Sequence, residues 1–324
     1  MEIISNPTQD EIKKAAQALK QGHLVAFPTE TVYGLGADAT NEKAVARIYS
    51  VKGRPTDHPL IVHISSINQL GKWATYIPGY AIKLAEEFWP GPMTLILKKS
   101  ELAKDFITSA QASVGLRIPD QRVALELLKE FEGLGGLGIA APSANRFGSI
   151  SPTTASAVGI ELSSFLNSKD LILDGGQCTV GVESSIIDCT KEDPVVLRPG
   201  AVSIEMIEIV TGLKSQLNSI GSRIRTSGLL ESHYAPKAKV FLGVPTQLGD
   251  GFLAFAKIPT PIGAVRLASP EDNEEYAQVL YSALRLGDQF GLKSIVVVEP
   301  TGEGLAVAIR DRLNKAASGK RIRD

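Results

Sequence analysis

The sequence predicts an α/β protein, a mixed sheet with helices on its faces, followed by a smaller C-terminal α/β unit of Rossmann-like kind. Three observations carry this expectation. Short apolar runs with strand character alternate with stretches of helical spacing as far as about Thr211. Several of those runs follow one another with too little chain for a crossover helix, so some neighbours must pair antiparallel. The pattern lapses after Thr211 and resumes near Lys239, in a chain of 324 residues that exceeds the size at which one core usually keeps growing.

Taken in order, TQDEIKKAAQALKQG opens with a capping box, Thr8 and Glu11, and stops at Gly22, which makes it a helix. LVAFP reads as a strand, NEKAVARIYSVKG as a helix capped by Asn41, PLIVHI as a strand, and PGYAIKLAEEFWPGP as a helix ending before Pro90. MTLILK, VGLRIP, GIAAPS, LILDGG, SSIIDC and VVLRPG are further strands, with a helix DQRVALELLKEF behind Asp120. Residues 211–238 have weak periodicity and many small and polar side chains, so they read as a linker between a main domain, 1–210, and a second, 239–324. In the second, KVFLGV, GFLAFA and SIVVVE read as strands, with helices near Glu271 to Gly287 and Glu303 to Ala317.

Composition excludes several classes. The 34 basic and 35 acidic residues leave a net charge of -1, so there is no global attraction for nucleic acid or anionic lipid, and any anion must be held locally. Two cysteines, Cys178 and Cys189, argue against a disulfide framework and fit small buried hydrophobes in a reducing compartment. No signal peptide or membrane span is visible, so the expected location is the cytoplasm. There is no G-x-x-x-x-G-K-S/T, no HExxH, no paired CxxC and no G-x-S-x-G. GLGGLG, Gly133 to Gly138, fits G-x-G-x-x-G but leads from helix to strand, the reverse of the order that sets a pyrophosphate on a helix N-terminus, so it reads as a turn.

Polar clusters at the ends of apolar strands are more informative, because open α/β sheets bind ligands there. FPTETVYGLGADA offers Thr29, Glu30, Thr31 and Tyr33, then small residues; KGRPTDHPLIVHI groups Lys52, Arg54, His58 and His63. VGLRIPD sets Arg117 in an apolar strand, where an unpaired guanidinium is costly and must face a carboxylate or phosphate. APSANRFGSISPT supplies Ser143, Asn145, Ser149 and Ser151, while GVESSIID and LRPGA add Ser184, Ser185 and Arg198. Each cluster also has a structural reading: ion pairing for Arg117 and Arg198, a core hydrogen bond for His63, caps and turns for the Ser/Asn loop. Their convergence at strand ends of one domain favours a binding site.

In this order, PTETVYGLGADA, KGRP, HPLIVHI, WPGPMTLIL, VGLRIPD, APSANRFGSISPT, ILDGG, GVESSIID and LRPGA resemble the YrdC-type threonylcarbamoyl-AMP synthases, and SGLLESHYAPKAKV resembles the linker of their longer, two-domain members. The resemblance implies a curved, open sheet with a large concave, basic-lined site. It implies conversion of L-threonine, bicarbonate and ATP, with Mg²⁺ on the nucleotide and no organic cofactor, to threonylcarbamoyl-AMP and pyrophosphate. The product would pass to the transferase that makes threonylcarbamoyladenosine in tRNA, and neither DNA nor membrane is an expected partner. By the same resemblance, Lys52, Arg54, Ser143 and Asn145 hold the triphosphate and act in catalysis. Arg117 pairs with the threonine carboxylate, and Thr31, His63, Ala141 and Ser185 complete that pocket. Ser113, Ser151 and Arg198 contact the nucleotide, and His233 and Tyr234 fold over the cavity as a lid.

His58 departs from the family pattern, in which Asn is usual. A histidine there is expected to titrate near neutral pH and weaken nucleotide binding as pH rises. Two other classes remain as alternatives. A non-catalytic double-stranded-RNA-binding protein would use the same basic concavity, although neutral charge and missing aromatic platforms count against it. A carbamoyl-transfer relative of the hydrogenase-maturation type would need an acylphosphatase-like region and paired-cysteine zinc motifs, which are absent.

Overall fold

The first capping box forms as the sequence requires: Glu11 N donates to Thr8 Oγ1, and Thr8 N donates to Glu11 Oε2 at 2.8 Å. The computed structural model describes residues 1–217, 224–226 and 234–317. The chain runs β1 (Glu2–Ser5), α1 (Gln9–Lys20), β2 (Val25–Phe27), β3 (Gly34–Asp38), α2 (Glu42–Lys52), β4 (Ile61–His63), α3 (Leu70–Trp73), β5 (Ala74–Tyr76), α4 (Gly79–Phe88), β6 (Met93–Lys99) and α5 (Asp105–Thr108). It continues through β7 (Ser113–Arg117), α6 (Arg122–Gly133), β8 (Ile139–Ala140), α7 (Ala155–Leu162), β9 (Leu171–Asp174), β10 (Ser185–Asp188), β11 (Val195–Arg198), α8 (Ile204–Thr211) and β12 (Gln216–Leu217). The C-terminal part contributes β13 (Lys239–Leu242), β14 (Gly251–Leu253), β15 (Val265–Ala268), α9 (Asn273–Gln289), β16 (Ser294–Val297) and α10 (Leu305–Ala316).

The first sheet has the order β1-β9-β2-β3-β8-β4-β7-β6-β10-β11-β12, with β5 beside β6. It is mixed, as predicted: β4 and β7 are parallel, whereas β6 and β7 or β10 and β11 are antiparallel. The register of β4 on β7 sets His63 opposite Arg117, which places two polar side chains of the candidate site side by side. The second sheet, β13-β16-β14-β15, is parallel throughout, with α9 as the crossover from β15 to β16.

Several elements escaped the sequence reading. GLGAD, read as a small-residue approach to a ligand, is the wholly buried strand β3 between β2 and β8. A Cβ on its Gly36 would lie 2.8 Å from Ile139 Cγ2, so the glycines serve strand packing. Within the expected linker, β12 pairs with β11, and Ile224 packs against the cluster of Ile96, Ile186 and Leu197.

Apolar clusters cover both faces of the first sheet, one including Val45, Leu60, Val62 and Leu95, the other Ile12, Leu19, Phe27 and Leu127. The core of the C-terminal unit, with Leu280, Tyr281, Leu284 and Leu313, extends without a break to Val32, Ile150 and Val182 of the first. Cys178 and Cys189 are both free and buried. Among the described residues no helix is long and apolar enough to cross a membrane.

Candidate active site

The turn after β2 is closed by its own side chains. Thr29 Oγ1 donates to Val32 O at 2.7 Å, accepts from Thr31 N and Val32 N at 3.2 Å, and shares a hydrogen bond with Thr31 Oγ1. Thr31 is thereby buried beneath the turn. Glu30 turns to the sheet, where its carboxylate takes Arg117 Nη2 at 2.6 Å and Asp120 N at 3.0 Å. The carboxylate that Arg117 requires is thus supplied by this chain, but Arg117 Nε is buried without a hydrogen-bond partner. His63 alongside also has an unpartnered buried Nδ1. Burial, and then the Arg117 charge, hold its imidazole at a pKa of about 3, so His63 is neutral at physiological pH.

Helix α2 ends against the Ser143–Asn145 loop. Gly53, at φ 60°, takes the left-handed cap that stops the helix and separates Lys52 from Arg54. Lys52 is buried and donates to the carbonyls of Ser143 and Asn145, both at 2.5 Å. Its ammonium therefore braces the Ser143–Asn145 loop from behind, and Lys52 is not part of the cavity wall. Burial, with Arg54 nearby, pushes its pKa well below the ordinary lysine value. Asn145 supports the same loop, donating to Arg146 O and Ser149 O at 2.8 Å while its Oδ1 is buried without a partner. Arg54 does face the cavity, steadied by the carbonyls of His58 and Pro59 at 3.3 and 3.1 Å.

The His58 expectation needs correcting. Its imidazole is half-buried against Phe147, with ring centroids 5.3 Å apart, and lies 3.8 Å from Asp57 rather than on the cavity wall. Burial and then Arg54 lower its pKa, which moves its titration away from neutral pH. The contribution of this segment to the site is the pair of backbone carbonyls that hold Arg54.

On the far side, Arg198 donates from Nε to Ser184 O at 3.0 Å and from Nη2 to Ser184 Oγ at 3.1 Å. Ser185 is turned away from the cavity, its hydroxyl bonded to Val202 O at 2.7 Å and accepting from Val202 N at 3.1 Å. Ser151 Oγ donates to Glu183 Oε1 at 2.6 Å. Ser113 lies apart, in a neighbouring groove with Ile96, Ile186, Ile224 and Thr226; Ile61 belongs to both concavities. His233 lies outside the described residues, whereas Tyr234 is buried and lines the cavity.

The cavity encloses about 560 Å³ with its open mouth included. Of the predicted residues it brings together Arg54, His63, Arg117, Ala141, Ser143, Arg198 and Tyr234; Lys52, Asn145, Thr31, Ser151 and Ser185 stand behind it. Among its lining side chains there are three guanidinium groups and one carboxylate, Glu183. Such a wall attracts anions. Among the described residues no group of three or more His, Cys, Asp or Glu side chains could hold a metal ion.

A protein-family model described as "Telomere recombination", for Sua5, YciO and YrdC, matches residues 17–200. The chain belongs to the Sua5/YciO/YrdC family. A second model, "Threonylcarbamoyl-AMP synthase, C-terminal domain", matches residues 202–318, as in the Sua5 branch of the family. Among curated proteins, the chain is 40% identical to a threonylcarbamoyl-AMP synthase of Pyrococcus abyssi over 96% of this chain and 95% of that one. It is 37% identical to one of Bacillus subtilis over 99% and 96% respectively. The crystal structure of Pyrococcus abyssi Sua5 complexed with L-threonine superposes with a TM-score of 0.87 at 36% identity, covering 99% of this chain and 98% of that one.

Against this family background, the wall residue the sequence reading missed is Glu183; Thr29, Tyr33 and Ser184 were grouped with the site but given no role, as was Glu30, which is the partner of Arg117. Tyr33 was visible in its motif, and its hydroxyl donates to Gly176 O at 2.7 Å, tying the turn to the ILDGG stretch. Glu183 was hidden because the cation that makes its burial tolerable, Arg312, is far along the chain in a helix of ordinary amphipathic appearance.

Proposed function

We propose that this chain is an L-threonylcarbamoyladenylate synthase. L-Threonine, bicarbonate and ATP give threonylcarbamoyl-AMP, pyrophosphate and water. The observation that carries the reading is the convergence of Arg54, Arg117 and Arg198 on one cavity, because the reaction must gather a carboxylate, a carbamate and a triphosphate and screen their repulsion. The identity to curated threonylcarbamoyl-AMP synthases over nearly the whole chain supports it.

In this reading Arg117, held at Nη2 by Glu30, receives the threonine carboxylate at the cavity wall. Neutral His63 offers a hydrogen bond near the amine without adding charge, and Ala141 leaves room for the side chain. Thr31 and Ser185 shape this pocket from behind. The threonine nitrogen adds to bicarbonate with loss of water, and a carbamate oxygen then attacks the α-phosphorus. The new O–P bond replaces the bond to the bridging oxygen, whose electron pair departs with pyrophosphate. Arg54, Arg198 and the Ser143 wall bear the developing charge. Lys52 and Asn145 hold the Ser143 loop in position, and Ser151 acts through Glu183. Mg²⁺ arrives with ATP and neutralises its phosphates; Glu183 already accepts from Ser151, Tyr281 and Arg312, so the cavity's carboxylate has no role as a ligand.

We read residues 1–210 as the catalytic unit, 211–238 as linker and lid, and 239–324 as the C-terminal unit, acting in the cytoplasm and passing product to a tRNA-modifying transferase. The test is incubation with ATP, L-threonine and ¹³C-bicarbonate followed by mass analysis. The adenylate is expected to carry the label in its carbamoyl carbon. An adenylate without the label, or AMP alone, refutes the reading.

A further inference from the structure

The C-terminal unit reaches the cavity wall through buried charge. Arg312 of α10 is wholly buried; its Nε donates to Glu183 Oε2 at 2.7 Å, and its Nη2 donates to Pro199 O at 2.9 Å and Glu183 O at 3.3 Å. It therefore clamps the segments just before β10 and just after β11, one bearing Glu183 and the other following Arg198. Tyr281 of α9 donates its hydroxyl to the same carboxylate, at 2.9 Å from Oε2 and 3.1 Å from Oε1. Tyr234, arriving from the linker, rests on both: its ring is 5.7 Å from that of Tyr281, and the Arg312 guanidinium is 5.6 Å from its centroid.

The backbone is shaped for this approach. Gly181, two residues before Glu183, has φ +82°, and a Cβ there would lie 2.4 Å from Ala277 O of α9. Val182 and Tyr281 share one apolar core. A buried ion pair is a poor adhesive, since apolar side chains of similar size hold an interface as well or better. Its use at the wall of an anion-attracting cavity points to a different purpose. It keeps a carboxylate there, fixed in place and neutralised.

We propose that Arg312 and Tyr281 are positioning residues of the active cavity, through which the C-terminal unit holds Glu183, keeps the Ser184 and Arg198 segments aligned, and seats Tyr234. The proposal rests on the nucleotide reading of the cavity. Without Arg312, Glu183 would face the nucleotide without its ion-pair partner, as a charge balanced less fully by Arg198 at high pH and as a neutral acid at lower pH. The groups facing it are Arg312 on α10, Tyr281 on α9, Tyr234 in the linker and Arg198 on β11, with Asp311 beyond Arg312.

The experiment is calorimetric titration of the full chain with MgATP at pH 6 and pH 8. Each variant is compared with wild type at the same pH. Arg312→Met is expected to bind about tenfold more weakly at pH 8 and less so at pH 6, and adding Glu183→Gln to it is expected to recover most of the loss and remove the pH dependence. Tyr281→Phe is expected to weaken binding about threefold at pH 8, as for loss of one hydrogen bond. Arg285→Met, which removes the Arg285–Glu161 pair between α9 and α7 and the Arg285 bond to Ile150 O but no contact to Glu183, is expected to stay within about twofold. The proposal is overturned if Arg312→Met binds like wild type at both pH values, or if Arg285→Met reproduces its losses. Should Arg312→Met not fold, Tyr281→Phe decides, and binding like wild type overturns the proposal. Wild type that does not bind MgATP would remove the nucleotide reading itself, and this inference with it.

Discussion

At the residue scale, the site separates groups that face the cavity from groups that hold them. Arg54 is of the first kind, and Arg54→Ala is expected to lower turnover by about a hundredfold, as for loss of one donor to developing charge, with an unchanged fold by circular dichroism. Turnover near wild type would remove Arg54 from the mechanism. Lys52 is of the second kind, so Lys52→Ala should reduce turnover through the Ser143 loop and also lower the melting temperature. His63 gives a pH signature. Its folded pKa of about 3 lies below the ordinary value for histidine, so between the two the unfolded chain binds the extra proton and stability falls as pH drops. The slope should approach about 1.4 kcal/mol per pH unit, and His63→Gln should flatten it in urea titrations across that range. Side-chain type made Arg117 and His63 legible as buried polar groups. Burial depth was not legible, and that is what silenced His58, exposed Glu183 as a wall group and placed Lys52 behind its loop.

Among the elements, local signals were reliable and pairing was not. Thr8, Asn41 and Gly53 mark helix ends by hydrogen bonds and backbone angles that involve only near neighbours, so they could be read directly. The strand GLGAD could not, because glycines and alanine suggest a strand only when Phe27 and Ile139 are known to press on either side. β12 and β15 were lost for the same reason, being defined by partners rather than by their own pattern. Gly53 offers an element-level test. Gly53→Ala forces a side chain into the left-handed cap, at a cost of about 1 kcal/mol by chemical unfolding, and should impair turnover more than a stability change of that size implies, since it turns Arg54 relative to Lys52. An equal loss of stability without effect on turnover would show that the cap does not position the cations.

For the whole molecule, the sequence showed two α/β units but not that they share a core and a buried charge network. Those contacts join residues 98 and 129 positions apart, and no periodicity records them. A shared core predicts one cooperative thermal transition for the full chain, and Gly181→Val, which drives a side chain into the α9 backbone, should split or broaden it. The central claim is that one cavity gathers three substrates and joins them. Its most direct test is pyrophosphate release by the purified chain with ATP and Mg²⁺, measured with L-threonine and bicarbonate present together and with each omitted. The account predicts release, with threonylcarbamoyl-AMP formed alongside, only when both are present. Pyrophosphate released from ATP alone, or none released with all three, would contradict it.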